Sequence, residues 1–160
     1  MALRVANLTS TFEFIWDEDP DKDDEAKATV FILGYLDAYD QAYLSDRMTT
    51  FESGSMRAPH EGETKEEVAI KAMSSARLET YKAAVDATQM CLKGFRNLQD
   101  VDGKPLEFTT VHQVFAGRER TMVDPAIVRG LDSRLCLAIY NRVTQINRLS
   151  EKERKNSKRG

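Results

Sequence analysis

The sequence lacks the long apolar segments that membrane and secreted proteins carry. Its longest apolar run, residues 30–36, is the size of a strand and far short of the ~18 residues that span a bilayer. The first twelve residues contain no apolar core of the kind found in a secretory signal. These absences predict a cytoplasmic protein with no membrane partner.

Cysteine and histidine are scarce, which restricts the available chemistry. Cys91 and Cys136 lie among apolar residues in helical patterns, as small buried side chains do in a reducing compartment. His60 and His112 have no nearby nucleophile and no metal-ligand spacing. No glycine-rich phosphate-binding motif is present. The sequence therefore predicts no enzyme activity, no cofactor and no metal site.

Acidic residues are abundant in one short stretch, residues 17–25, which also contains a proline. Every second residue from Asp19 to Asp23 is acidic, as at the start of a calcium-binding EF-hand loop. The sixth position would then be Asp24 instead of glycine, and the twelfth would be Val30 instead of glutamate. A solvated loop is the favoured interpretation, and weak binding of Ca²⁺ or Mg²⁺ is the alternative.

Charge is unevenly distributed along the chain. The net charge is −3, but residues 1–63 carry 14 acidic against 5 basic side chains, and residues 64–160 carry 12 against 18. An acidic front and a basic back suit head-to-tail self-association or a charged partner, and two solvated faces are the alternative interpretation. A homo-oligomer is thus one expectation.

Alternating apolar residues predict a β-hairpin near the N-terminus. Residues 11–16 place Phe12, Phe14 and Trp16 on one face of a strand, and residues 27–36 form a second strand rich in β-branched and aromatic side chains. A hairpin alone is marginally stable in water, so helices must cover its aromatic face.

Two helices are predicted next, separated by a loop over residues 53–63. The first runs from Asp37 to about Met48 and has an apolar side formed by Leu36, Tyr39, Ala42 and Tyr43. The second begins at the capping box of Thr64 and Glu67 and ends at Lys93, with Gly94 at the C′ position and Met73 in its apolar stripe. Residues 106–108 fit a brief strand, and residues 110–122 fit no single pattern.

The last third of the chain has strong helix signals. Asp124–Pro125 starts a short helix that Gly130 ends, and Asp132 can cap the next one. That helix has an apolar stripe, which packs either on its own domain or on a partner, and a basic exit follows the capping-box pattern of Ser150 and Glu153. The predicted partner-binding residues come from the stripe and the exit: Leu135, Ile139, Val143, Ile146, Lys152, Arg154 and Lys155.

Together these patterns predict an α+β fold that is mainly helical. A small antiparallel N-terminal β-hairpin sheet, of two or three strands, packs on the long helix. Residues 1–150 form one domain, and residues 151–160 form a basic polar tail with a net charge of +3. This tail, together with Arg118 and Arg120, could touch phosphates, but the chain has no nucleic-acid recognition module, so nucleic acid is disfavoured as a partner.

Several segments form a recognisable order along the chain: the aromatic hairpin TFEFIW and ATVFILGYL, the helix DAYDQAYLSDRM and the closing segment LCLAIYNRVTQINRLSEKERKN. Between them, Gly94–Leu98 leads to an Asp-Gly-Lys-Pro turn at Asp102–Pro105. Taken in this order, the elements resemble those of tail assembly chaperones and related small tail-module proteins of tailed bacteriophages. The resemblance covers most of the chain and includes no catalytic residue.

The resemblance implies a late protein of virion assembly that acts by protein–protein interaction in the host cytoplasm. Such a chaperone binds the apolar, coiled-coil-prone tape-measure protein until tail-tube subunits polymerise around it. One alternative is a structural subunit of the virion, in the tail or at the head–tail junction. A second alternative is a nucleic-acid-associated accessory protein that uses the basic back of the chain.

Overall fold

The structure is a computed structural model that describes the backbone of residues 9–54 and 58–156 and the side chains of residues 9–47 and 58–147. It has the predicted α+β fold, with a small antiparallel sheet and a long helix. The strands are β1 (Thr11–Ile15), β2 (Val30–Gly34), β3 (Leu92–Arg96), β4 (Thr110–Phe115) and β5 (Arg118–Val123). The helices are α1 (Ala38–Gly54), α2 (Lys65–Cys91), α3 (Pro125–Gly130) and α4 (Ser133–Asn156).

The predicted N-terminal hairpin is confirmed. Strands β1 and β2 pair antiparallel, with Phe12 opposite Leu33 and Phe14 opposite Phe31, so these four side chains share one face of the sheet. Phe12, Phe14 and Trp16 are half-buried and alternate with exposed residues. The helices cover this face, as the instability of a lone hairpin requires.

A third strand, β3, lies where the sequence predicts the end of the long helix. Helix α2 stops at Cys91, and Leu92 is already extended, so Gly94 is a strand residue and not a helix C′ residue. Strand β3 pairs antiparallel with β2 and places Phe95 opposite Phe31. A Cβ atom on Gly94 would lie 3.3 Å from the Ile32 side chain, so the glycine permits close packing within the sheet.

Residues 110–123, which fit no single pattern in the sequence, form a second hairpin. Strands β4 and β5 pair in continuous register from Thr110–Val123 to Phe115–Arg118. The two turn residues, Ala116 and Gly117, both have positive φ, at 50° and 74°, as a type I′ turn requires. The brief strand predicted at residues 106–108 is wrong, since only an isolated bridge between Gln99 and Pro105 forms there.

Helix α1 differs from its prediction in length and in its buried side. It runs to Gly54, and it buries Asp40 and Leu44 while Tyr39 remains 49% exposed. Its side packs on α2, where the Tyr43 hydroxyl donates a hydrogen bond to Asp86 and Arg47 forms an ion pair with the same carboxylate. The predicted apolar side therefore overestimates the burial of Tyr39, because periodicity does not reveal which polar groups find buried partners.

The predicted start signals of α2, α3 and α4 are confirmed. Thr64 and Glu67 form both hydrogen bonds of the capping box that begins α2. The Asp124 side chain accepts from the backbone N–H of Ala126 at the start of α3, and Asp132 accepts from that of Arg134 at the start of α4. The loop predicted over residues 53–63 starts later than predicted, because residues 53–54 still belong to α1. Residues 58–60 have no regular structure and residues 61–62 form a turn, whereas residues 55–57 lie outside the described part.

Helix α4 continues without interruption to Asn156, so the capping-box pattern at Ser150 and Glu153 does not start a new helix. The predicted tail at residues 151–160 thus begins inside α4. A capping box needs an extended residue at its N-cap, and a helix that is already propagating gains one hydrogen bond for each residue it adds.

The core lies between the sheet and the region where residues within 83–91 of α2 and within 135–143 of α4 are buried. Small residues of α2, Ala83, Ala84 and Ala87, are fully buried and allow α4 to approach closely. Ile139 and Val143 of α4 fill that contact with no exposed surface.

We expect the substitution Ile139→Ala to lower the free energy of unfolding by about 2–5 kcal/mol, because it leaves a cavity in this contact. Urea unfolding followed by circular dichroism measures the change. The matched control is Ile70→Ala, since Ile70 is 64% exposed on α2 and its truncation should change stability by less than about 0.5 kcal/mol. Equal losses in the two variants would contradict this account of the core.

Candidate partner-binding surfaces

Most residues of the predicted partner-binding stripe lie in the core of the domain. Leu135, Ile139 and Val143 are buried against α2 and the sheet, so the domain's own packing uses the face that the sequence offers to a partner. Ile146 is half-buried at the end of the same face. The side chains of Lys152, Arg154 and Lys155 lie outside the described residues. The partner-binding prediction is thus corrected for the three buried residues.

The two cysteines are inert by their surroundings. Both are unpaired and buried, and burial raises the pKa of Cys91 to about 12 because the thiolate would be desolvated. Burial also raises the pKa of Cys136. Since the thiolate is the nucleophilic form, neither group is activated for covalent chemistry at neutral pH.

The histidines do not converge with other reactive groups. His60 is exposed in the loop before α2, and the exposed His112 contacts the Thr121 hydroxyl across the β4–β5 hairpin at 3.2 Å. Among the described side chains, those of residues 9–47 and 58–147, no three of the metal-binding types group together. Within residues 9–54 and 58–156, no helix is both long and apolar enough to cross a membrane.

The acidic loop of residues 17–25 is held together by its own hydrogen bonds. Asp19 accepts from the backbone N–H groups of Asp21 and Thr29, at 2.9 and 2.7 Å, and Asp24 accepts from that of Ala26 at 3.0 Å. Lys27 forms an ion pair with the same Asp24 carboxylate at 3.0 Å. These bonds turn the carboxylates toward the loop backbone, which is the geometry of consecutive turns rather than of a cation cage.

We expect millimolar calcium to raise the melting temperature by less than about 1 °C, because a solvated loop gives the ion no specific site. A specific site would stabilise the fold by RT ln(1 + [L]/Kd), which is about 2.7 kcal/mol at a hundredfold excess over Kd. Differential scanning calorimetry with and without calcium makes the measurement. A saturable shift of several degrees that Asp21→Asn abolishes would overturn this interpretation.

The basic residues Arg118 and Arg120 belong to an ionic cluster that joins β5 to the start of α1. Arg118 contacts Asp37 and Asp40 at 3.0 and 2.7 Å, and Arg120 contacts Asp40 at 2.9 Å. The Arg118 guanidinium also lies 4.3 Å above the Tyr39 ring. Because both cations are paired, this spot is not the open phosphate-binding patch that the sequence allows as an alternative.

The same cluster sets the ionisation of Asp37. Burial raises the pKa of this carboxyl, but the hydrogen bonds from the Asp40 backbone N–H and from Arg118 outweigh burial and hold the pKa below its ordinary value of 3.8. Asp37 also caps α1 through that backbone bond. The ionised carboxylate therefore stabilises both the helix start and the docking of the hairpin.

This lowered pKa predicts acid sensitivity. The contribution of Asp37 is fully present above pH ~3.8 and is lost as the pH falls through the lower folded pKa. Asp37→Asn keeps a capping side chain but removes the charge, so it should cost about 0.5–1 kcal/mol at pH 7 and less at about pH 2–3. Urea unfolding at both pH values measures this, with the exposed Asp23→Asn as control. A cost for Asp37→Asn that does not change with pH would contradict the assignment.

An unused apolar surface lies on the first half of α2. Ile70, Met73 and Leu78 are 64%, 73% and 55% exposed, and at 100° per residue they span an arc of about 140° around the helix. We call this surface the α2 apolar face. The sequence places Met73 in the apolar stripe of α2, and this prediction is wrong because Met73 lies on the exposed face. The sequence contains a signal for this exposed surface, because Ile70 and Leu78 do not belong to the apolar stripe of α2 that leads into the core.

A second surface is a groove between β1 and α4, which we call the β1–α4 groove. Its volume is about 720 Å³, within the range of natural ligand clefts. Six consecutive residues, 13–18, line one wall, and α4 supplies the other wall through Ala138, Asn141, Arg142 and Gln145. Among the described strands β1 pairs only with β2, so it lies at an edge of the three-stranded sheet.

Comparison with known proteins adds no family assignment. No protein-family model, curated protein or solved structure matches the chain. The grounds for a function are therefore the sequence patterns and the two surfaces just described.

Proposed function

We propose that the protein is a phage tail assembly chaperone-like factor, which binds the tape-measure protein and promotes assembly of the tail tube. The sequence resemblance supplies the identity of the client. The observation that carries a binding role is the α2 apolar face, an exposed helical surface that the domain's own core does not use.

The α2 apolar face suits a helical client. Apolar side chains at positions 70, 73 and 78 present a stripe onto which an amphipathic or coiled-coil helix can lay its own apolar side. Charged residues also lie within this arc, among them Arg77, which at 100° per residue falls between Ile70 and Met73 and whose guanidinium lies 5.9 Å from the Tyr81 ring. This mixture of apolar and charged side chains keeps the surface hydrated when no client is bound.

The size of the face favours reversible binding. Full burial of one such side chain stabilises a complex by about 1.5–3 kcal/mol, and these three are already partly covered. Burial of the three side chains together contributes about 3–6 kcal/mol before the costs of association are subtracted. This free energy corresponds to weak binding by this face alone. A chaperone must release its client, whereas a permanent virion subunit needs a larger interface of more than about 1,000 Å².

We expect Met73→Glu to weaken capture of tape-measure fragments at least about tenfold, because it places a charge within the apolar contact. Affinity is measured by pull-down and by titration of purified fragments. The matched control is Ser75→Glu, which adds the same charge at an exposed position of α2 outside the face. Unchanged binding by both variants would remove the α2 apolar face from the proposal.

A second measurement separates a chaperone from a structural subunit. A chaperone should co-purify with tape-measure fragments from infected cells and be missing from finished particles. Quantitative mass spectrometry of purified virions gives the copy number. Stoichiometric copies in the virion would transfer the assignment to the alternative, a structural subunit of the tail or head–tail junction.

A further inference from the structure

The second hairpin has β4 as its outer strand. Strand β5 contacts β3 and α2, whereas β4 pairs only with β5 among the described strands. Among residues 9–54 and 58–156, no hydrogen bond from another segment joins the backbone of residues 110–115 on the side away from β5. We call this side the outer edge of β4. Its backbone N–H and C=O groups can pair with a further extended strand.

The turn of the hairpin determines which residues point outward. With Ala116–Gly117 as a two-residue turn, Phe115 and Arg118 form a hydrogen-bonded pair, and such pairs recur at every second residue along β4. The bond from the Asp124 N–H to the Thr109 C=O, at 2.9 Å, continues this alternation. The residues between these pairs direct their backbone groups to the outer edge: Thr110, His112 and Val114.

The outer edge of β4 lacks the usual protection of an edge strand. Proteins guard such edges with charged side chains, prolines or bulges. Residues 108–117 contain no proline, and they are the longest run without Asp, Glu, Lys or Arg in a chain of which 31% is charged. The register of β4 with β5 is continuous, and Val114 is 69% exposed. A strand that docks here without an unpaired charge must itself be uncharged, and β4 of a second copy meets this condition.

We propose that β4 pairs antiparallel with β4 of a second copy of this chain, so that the two hairpins form one four-stranded sheet. Antiparallel hydrogen-bonded pairs form only between residues that both point outward. One register uses all three outward residues, with two hydrogen bonds in each pair. It places Thr110 opposite Val114 of the partner subunit and His112 opposite itself. Such a contact is isologous and ends at the dimer.

The side chains of the outward residues fit this pairing. All three lie on the exposed face of the hairpin, where His112 contacts the Thr121 hydroxyl of β5 at 3.2 Å. Thr110 and Val114 are β-branched, as directly opposed strand positions favour. His112 is the critical position, because a full charge there would face its own copy across the two-fold axis, and like charges directly opposite are destabilising.

The contact is short, so the dimer is weak. Five paired residues span about 17 Å, and interfaces much smaller than about 1,200 Å² belong to transient complexes. Association should therefore appear only at high protein concentration. The pairing goes beyond the proposed chaperone role, because it uses no residue of the α2 apolar face and needs no client.

Amide hydrogen exchange, followed by NMR at increasing protein concentration, tests the pairing in the unmodified chain. The amides of the three outward residues should slow at least about tenfold as the dimer forms. The amides of residues 111, 113 and 115 already bond to β5 and should be protected at every concentration. Sedimentation equilibrium should show monomer and dimer only. A monomer up to about 1 mM, or outward amides that do not slow, would overturn the proposal.

Charge exchange at His112 tests the register. His112→Lys and His112→Asp each place like charges opposite each other, so each variant alone should associate about tenfold less tightly or worse. An equimolar mixture should regain association, because unlike charges then face each other. The matched control is Val101→Lys with Val101→Asp. Val101 is fully exposed in the turn over residues 100–104, outside β4.

Each outcome of the exchange decides for or against the pairing. Recovery in the mixture, together with unchanged association of the control variants, supports the two-fold register. No recovery, or an equal loss in the control variants, overturns it. Association that Met73→Glu removes and His112→Lys leaves unchanged would also overturn it, because the contact would then lie on the α2 apolar face.

Discussion

The packing of α4 on the small residues at the end of α2 is the contact on which the rest of the structure depends. Ala83, Ala84 and Ala87 remove side-chain bulk, so the two helices approach closely and Ile139 and Val143 become fully buried. The helical pair then forms the platform that covers Phe31 and the other apolar residues of the sheet. Without that cover the three strands would expose an aromatic face to water.

This contact also explains why α2 has two different halves. Its second half is fixed between α4, α1 and the sheet, whereas the first half projects past the core and keeps Ile70 and Met73 exposed. The same division exists in α4, whose apolar side faces α2 while Ala138, Asn141 and Gln145 line the β1–α4 groove. The surfaces available to partners are thus those that the core does not bury, and they differ from the most apolar stripes of the sequence.

Local signals predicted the elements that depend on neighbouring residues. The capping box of Thr64 and Glu67, the N-cap at Asp124 and the alternation from Phe12 to Trp16 all act within a few residues, so the chain itself reveals them. Strand β3 was missed because Leu92 follows a helix directly, and its extended form comes from pairing with β2, some 60 residues earlier in the chain. The β4–β5 hairpin was missed because Ala116–Gly117 is a weak turn signal.

The sequence by itself determined the fold class, the helix starts, the acidic loop and the opposition of an acidic front to a basic end. These follow from composition, periodicity and capping, which act over short distances along the chain. Only the tertiary structure decided that Leu135, Ile139 and Val143 are core residues, that Asp40 is buried beside Arg118 and Arg120, and that β1 is the outer strand in the order β1-β2-β3. The reason is physical: burial and charge pairing depend on which distant segment arrives at a surface, and an amphipathic stripe is compatible with any apolar partner.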